Sequence, residues 1–147
     1  MTDVGIPVMG HIGMTPQSAT NFGGFKVQGG TPEGAAKLVE DAKALEAAGV
    51  FSIVVECVPS GVAKAITEAV SVPILGIGAG PYVDCQVLVT QDLLDMYGDF
   101  KPKFVKHFAH VRKAMVDGLN AFHQETLDGT FPTPEYSFNK VVEGYEV

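Results

Sequence analysis

Cations, thiols and long apolar runs are all scarce in this chain, and each scarcity removes a class of function. Lys and Arg number 10 against 17 Asp and Glu, giving a formal net charge of -7. Phosphate backbones are held by clustered Lys and Arg, so an acidic chain of this kind is not expected to bind nucleic acid. No apolar run approaches the ~20 residues that cross a bilayer. The longest lies around Ile53 to Val55, so no membrane association is expected. Met1-Thr2-Asp3 is followed by no basic, apolar leader, and the expected location is the cytoplasm. Cys57 and Cys85 are the only thiols. They form no C-x-x-C pair and have no histidine close in sequence. They read as reduced, packed side chains rather than zinc ligands, and no metal-binding residue is assigned to the chain.

What remains is an ordinary globular composition, 46% hydrophobic and 18% charged over 147 residues, enough for one domain-sized core. Ile6-Pro7-Val8-Met9 reads as a short buried strand ending at Gly10-His11, followed by a polar, glycine-rich loop from Gly13 to Gly30. Thr31-Pro32-Glu33 is a helix start, with a capping hydroxyl, a proline at the first helical position and a carboxylate at the positive end of the helix dipole. Ala35, Leu38, Ala42 and Leu45 form its apolar stripe, and Gly49 ends it. Phe51 to Val55 is a β-branched strand running into Glu56. Val62, Ala63, Ile66 and Val70 mark a second helix. Val72 to Ile77 is a third strand, ending in Gly78-Ala79-Gly80, and Val87-Leu88-Val89 a brief fourth. A long helix is expected from about Pro102 to Leu127, with Phe104, Phe108, Val111, Met115, Leu119 and Phe122 on one face. Alternating strands and helices imply a parallel sheet covered by helices. Four strands suit either a small open fold or half of a (β/α)8 barrel, which needs about 250 residues.

In parallel βα folds, chemistry gathers at the C-terminal ends of strands. His11, Glu56, the Gly76 to Gly80 loop and Asp92 lie at such positions. A partly buried carboxylate at the rim of an apolar core holds a proton more readily than one in water, which suits Glu56 to be a general base. A rim Glu paired with a nearby lysine is the competing reading. The imidazole of His11 can donate to a substrate oxygen or carry a proton; a histidine bonded to a neighbouring loop is the alternative. His107, His110 and His123 read as surface or interface residues on the long helix. The Gly76 to Gly80 loop lacks the lysine of a P-loop. Lys26 and Gln28 could meet an anionic ligand, although exposed loop residues of this kind usually have no special role.

Particular strings carry a family resemblance. Gly10-His11-Ile12-Gly13-Met14-Thr15-Pro16-Gln17-Ser18, then Phe22 to Gly29, Ala44 to Gly49, Val55 to Pro59, Pro73 to Gly80, Gln86 to Val89 with Asp92, Pro102 to Lys106 and Glu135 to Phe138 resemble, in order, segments of ketopantoate hydroxymethyltransferases. The likeness covers about Gly5 to Phe138 and corresponds to the second half of that family's barrel. It implies an α/β fold, the C-terminal half of a (β/α)8 TIM barrel with about four parallel strands and flanking helices. Residues 1–138 would form the half-barrel and 139–147 a polar C-terminal tail.

The resemblance also implies an activity in pantothenate biosynthesis: transfer of a hydroxymethyl group from 5,10-methylenetetrahydrofolate to 3-methyl-2-oxobutanoate, giving 2-dehydropantoate. By residue matching, Glu56 is the catalytic proton acceptor and His11 contacts the keto acid. The family's metal, normally Mg2+, is ligated from the first half of its barrel, so none of its ligands falls in this chain. The isolated chain is therefore expected to be inactive. Its expected partner is a separate N-terminal half-barrel chain or further copies of itself. The alternatives are a non-catalytic assembly or binding subunit, and a related metal-dependent, enolate-forming barrel lyase. One departure concerns Cys85, which stands where the family usually has glycine; if that position needs a positive backbone angle, a side chain there strains the loop.

Overall fold

The computed structural model describes residues 1–18, 20, 23, 24, 26–98 and 101–145. Four parallel strands form one sheet in chain order: β1 (Met9–Gly13), β2 (Ser52–Glu56), β3 (Ile74–Ile77) and β4 (Cys85–Gln86). Helix α1 (Pro32–Ala47) connects β1 to β2, and α2 (Ser60–Ala69) connects β2 to β3. A short helix, α3 (Thr90–Leu93), follows β4, and α4 (Arg112–Leu127) follows later. The chain divides into two compact units, residues 1–90 with 100–106, and residues 91–99 with 107–147. The first contains the sheet, in the layout of half a (β/α)8 barrel.

Alternation along the strands sorts side chains onto two faces. Ile12, Ile53, Val55 and Ile74 join Leu38 and Ala42 of α1 and Ala63 and Ile66 of α2 in one cluster. Ile53, Ile66, Ile74 and Val55 are its largest fully buried side chains. Each stabilises the fold by about 1.5–3 kcal/mol relative to exposure. The other face carries His11, Val54, Glu56 and Leu75, all only partly buried. This is the face that would look toward the axis of a closed barrel.

Helix α1 starts as its sequence requires: Pro32 is its first residue, and the Thr31 hydroxyl accepts a hydrogen bond from the Gly34 N–H at 3.1 Å. The link from β3 to β4 is different, since residues 78–84 cross back without a helix. Gly76 makes that possible, because a β-carbon there would lie 2.8 Å from Val83, which packs against the strand. The Asp84 carboxylate, accepting from the Ile74 N–H at 2.8 Å, secures the crossover.

Several elements differ from the sequence expectation. The first strand is Met9–Gly13, not Ile6 to Met9. The apolar stretch suggested the earlier position, but packing sets the register: Gly10 lies under Leu45, and Ile12 enters the core. The fourth strand is Cys85–Gln86, not Val87 to Val89, and Val87 and Val89 are exposed. Cys85 is not among the described non-glycine residues with positive φ, so its side chain brings no such strain. It is exposed, however, not packed. The long helix begins at Arg112, ten residues later than expected. The Phe108 and Val111 N–H groups donate to Leu93 O and Leu94 O, which takes them out of any helical ladder. Phe104, Phe108, His107 and His110 are therefore not helical.

Candidate active site

His11 and Glu56 come together. His11 pairs with Val54 across β1 and β2, and Glu56 is two residues further along, so both side chains share the open face. The His11 Nε2 lies 3.0 Å from Glu56 Oε2. The Glu56 side chain is 13% exposed and that of His11 31%, so the pair is shielded yet reachable. With the carboxylate ionised, Nε2 is the donor, and the imidazole holds one carboxylate oxygen in place. The pairing is with a histidine, not the lysine of the competing reading. His11 is in the third position of its strand rather than at the end, and Glu56 is the last residue of its own.

The end of β2 is tightly anchored. Glu56 O accepts from the Met14 N–H at 2.8 Å, Cys57 N–H donates to Ile77 O at 2.9 Å, and Cys57 O accepts from Gln28 N–H at 2.9 Å. Three segments thus converge around one carboxylate. Cys57 adopts φ 51, and its thiol is pushed up from its ordinary value, first by burial and then by the Glu56 charge. A protonated thiol is a poor nucleophile, so Cys57 is a packing residue here.

A cavity of about 320 Å³ lies between β1 and α1, with His11, Gly13, Gln28, Gly29 and Lys37 in its lining. Gln28 thereby joins His11, a placement that its position in a loop did not disclose. Lys37 is engaged with Asp41 at 3.0 Å, and Lys26 is exposed outside the lining. Gly13, read from sequence only as the start of a loop, is the register partner of Glu56. Its close approach is the part of the site that position along the chain did not reveal. Of the other candidates, the Gly76 to Gly80 loop serves packing: Gly80 abuts Ser60, and Gly80 O accepts from Gln86. Asp92, in the second unit, accepts from the Tyr97 hydroxyl at 3.1 Å.

Magnesium demands an octahedron of oxygen ligands. Among the described residues no third His, Cys, Asp or Glu converges with His11 and Glu56. One carboxylate already bonded to an imidazole does not by itself fit a magnesium site.

A four-stranded parallel βα sheet with a carboxylate–imidazole pair on its open face has the layout of half a βα barrel. Within that class, the chain belongs to the ketopantoate hydroxymethyltransferase family, whose sequence profile matches residues 1–134. The chain is 59% identical over 138 residues to the 3-methyl-2-oxobutanoate hydroxymethyltransferase of Heliobacterium modesticaldum, covering 94% of this chain and 50% of that protein. To the protein of the same name from Syntrophomonas wolfei it is 57% identical, covering 92% and 49%. To that of Francisella tularensis it is 52% identical, covering 95% and 53%. The chain spans about half the length of these curated relatives. No helix among the described residues is long and apolar enough to cross a membrane.

Proposed function

We propose that this chain supplies the proton-abstracting half of a 3-methyl-2-oxobutanoate hydroxymethyltransferase. Glu56 removes the proton from the carbon beside the ketone of 3-methyl-2-oxobutanoate. The C–H electron pair becomes the enolate. Water adds to the methylene carbon of 5,10-methylenetetrahydrofolate and both of its C–N bonds break, releasing tetrahydrofolate and formaldehyde. The enolate carbon then bonds the formaldehyde carbon, whose oxygen takes up a proton to become the hydroxyl of 2-dehydropantoate. The observation that carries this reading is the 3.0 Å contact between His11 and Glu56 on adjacent strands. In the free site, His11 occupies one carboxylate oxygen and leaves the other to accept the proton. When the keto acid binds, His11 is its contact on β1, donating to one of its oxygens.

The rest of the site comes from other polypeptide. Among the described residues β1 pairs only with β2 and β4 only with β3, so both edges of the sheet are open to further strands. The chain works together with barrel strands corresponding to the remaining half of its relatives, and that half carries the magnesium ligands. By itself the chain turns over nothing. Helix α4 supports assembly: none of its residues is buried, and Met115, Leu119 and Phe122 are exposed at helical spacing. The enzyme acts in the cytoplasm as part of a larger oligomer.

The test is hydrogen–deuterium exchange at the carbon beside the ketone, using this chain reconstituted with a polypeptide carrying the remaining barrel strands. Glu56→Gln is expected to lower exchange by about 10²–10⁴-fold, the usual worth of a general base. Exchange within a few-fold of the unsubstituted complex would overturn the assignment.

A further inference from the structure

The second unit contains a group of side chains that the proposed reaction does not use. Asp95, His107 and His110 each offer one donor atom, and these atoms all lie within 4.8 Å of one another. Asp95 Oδ2 is 2.6 Å from His110 Nδ1, and Asp95 Oδ1 is 3.6 Å from His107 Nδ1. The two imidazole rings meet edge to face, 5.7 Å between centroids. From the geometry we infer that Asp95, His107 and His110 form a binding site for one divalent transition-metal ion of the zinc type.

Backbone hydrogen bonds hold the cluster. Phe108 N–H donates to Leu93 O at 2.8 Å, and Val111 N–H to Leu94 O at 3.1 Å, stapling the segment of the histidines to the segment of the aspartate. Asp95 itself adopts φ 54, a left-handed conformation that turns the chain at this point. The Asp95 and His107 side chains are 22% and 20% exposed, whereas that of His110 is 75% exposed. Two donors are thus seated, and the third can swing. Ligands on a tetrahedral ion with bonds near 2.0–2.1 Å lie roughly 3.3 Å apart, within reach of small rotamer changes from the present spacing.

Donor chemistry selects the class of ion. Two imidazoles and one carboxylate suit zinc and its neighbours in the first transition row, while magnesium and calcium prefer all-oxygen sets. Three protein ligands leave a position open for water or a ligand from a partner. The competing reading is that these residues serve only each other, as a hydrogen-bonded cluster.

Equilibrium dialysis of the full chain against ~10 μM free Zn2+ distinguishes the two, since a site with Kd near 10⁻⁶ M is filled there. Expected is one Zn2+ per chain, retained in His11→Ala and lost in both Asp95→Gly and His110→Ala. Glycine suits the left-handed backbone at position 95, and His110 is exposed, so neither substitution threatens the fold. Zinc uptake that is absent, that survives both substitutions, or that disappears in His11→Ala instead would overturn the site. The outcome is independent of the role of Glu56, which the exchange experiment addresses.

Discussion

Gly13 and Glu56 face each other across β1 and β2, so closely that a β-carbon on Gly13 would lie 2.1 Å from the Glu56 carbonyl oxygen. Gly13 also adopts φ +89. No other residue type tolerates both the angle and the contact. The proximity lets Met14 N–H reach Glu56 O and fixes where the carboxylate starts.

Gly13→Ala is therefore expected to destabilise the fold by at least ~2 kcal/mol, combining left-handed strain with displacement of a backbone oxygen. Urea denaturation measures it. A midpoint equal to that of the unsubstituted chain would show that β1 and β2 are less closely apposed than described.

The two thiols should differ in reactivity. Cys57 is partly buried, its thiol pushed up by burial and by Glu56, whereas Cys85 is exposed. At about pH 8, Cys85 is expected to alkylate first. Glu56→Gln removes one of the two causes acting on Cys57 and should speed its alkylation. Mass-spectrometric mapping of labelled peptides over time reads both effects, and an unchanged Cys57 rate would mean that the carboxylate does not act on that thiol.

Glu46 gives a pH dependence. Its carboxylate accepts from the Ser71 N–H and hydroxyl, both at 2.6 Å, which tie the end of α1 to the turn before β3. The side-chain bond from Ser71 is the foremost cause lowering its pKa from the ordinary 4.5. A depressed carboxylate contributes stability above its unfolded value, and the contribution disappears as pH falls through the folded value. The unsubstituted chain should thus have a higher urea midpoint than Glu46→Gln near pH 7. The gap should begin to narrow as pH falls below the usual glutamate value and close once pH is below the lowered folded one. A gap that persists in acid would show that the bonds do not depend on the ionised carboxylate.

Much of this protein was legible in one dimension. The β-branched run before Glu56, the Thr31-Pro32 helix start and the stripe of Leu38 and Ala42 each bring local preference and burial pattern to the same answer, and the sheet and α1 follow them. His11 and Glu56 stood out because parallel βα folds gather polar groups near strand ends, and family-specific strings carried the kinship. Register and cross-chain contacts were not legible. Whether β1 begins at Ile6 or Met9 depends on Gly10 fitting beneath Leu45, and the start of α4 depends on two N–H groups donating to Leu93 and Leu94. Tertiary structure alone brought His11 to 3.0 Å from Glu56, 45 residues away, and Asp95 to His107 and His110. Local sequence governs which conformations a segment prefers. Which side chains meet is governed by how those segments pack, and packing is settled only when the whole core closes.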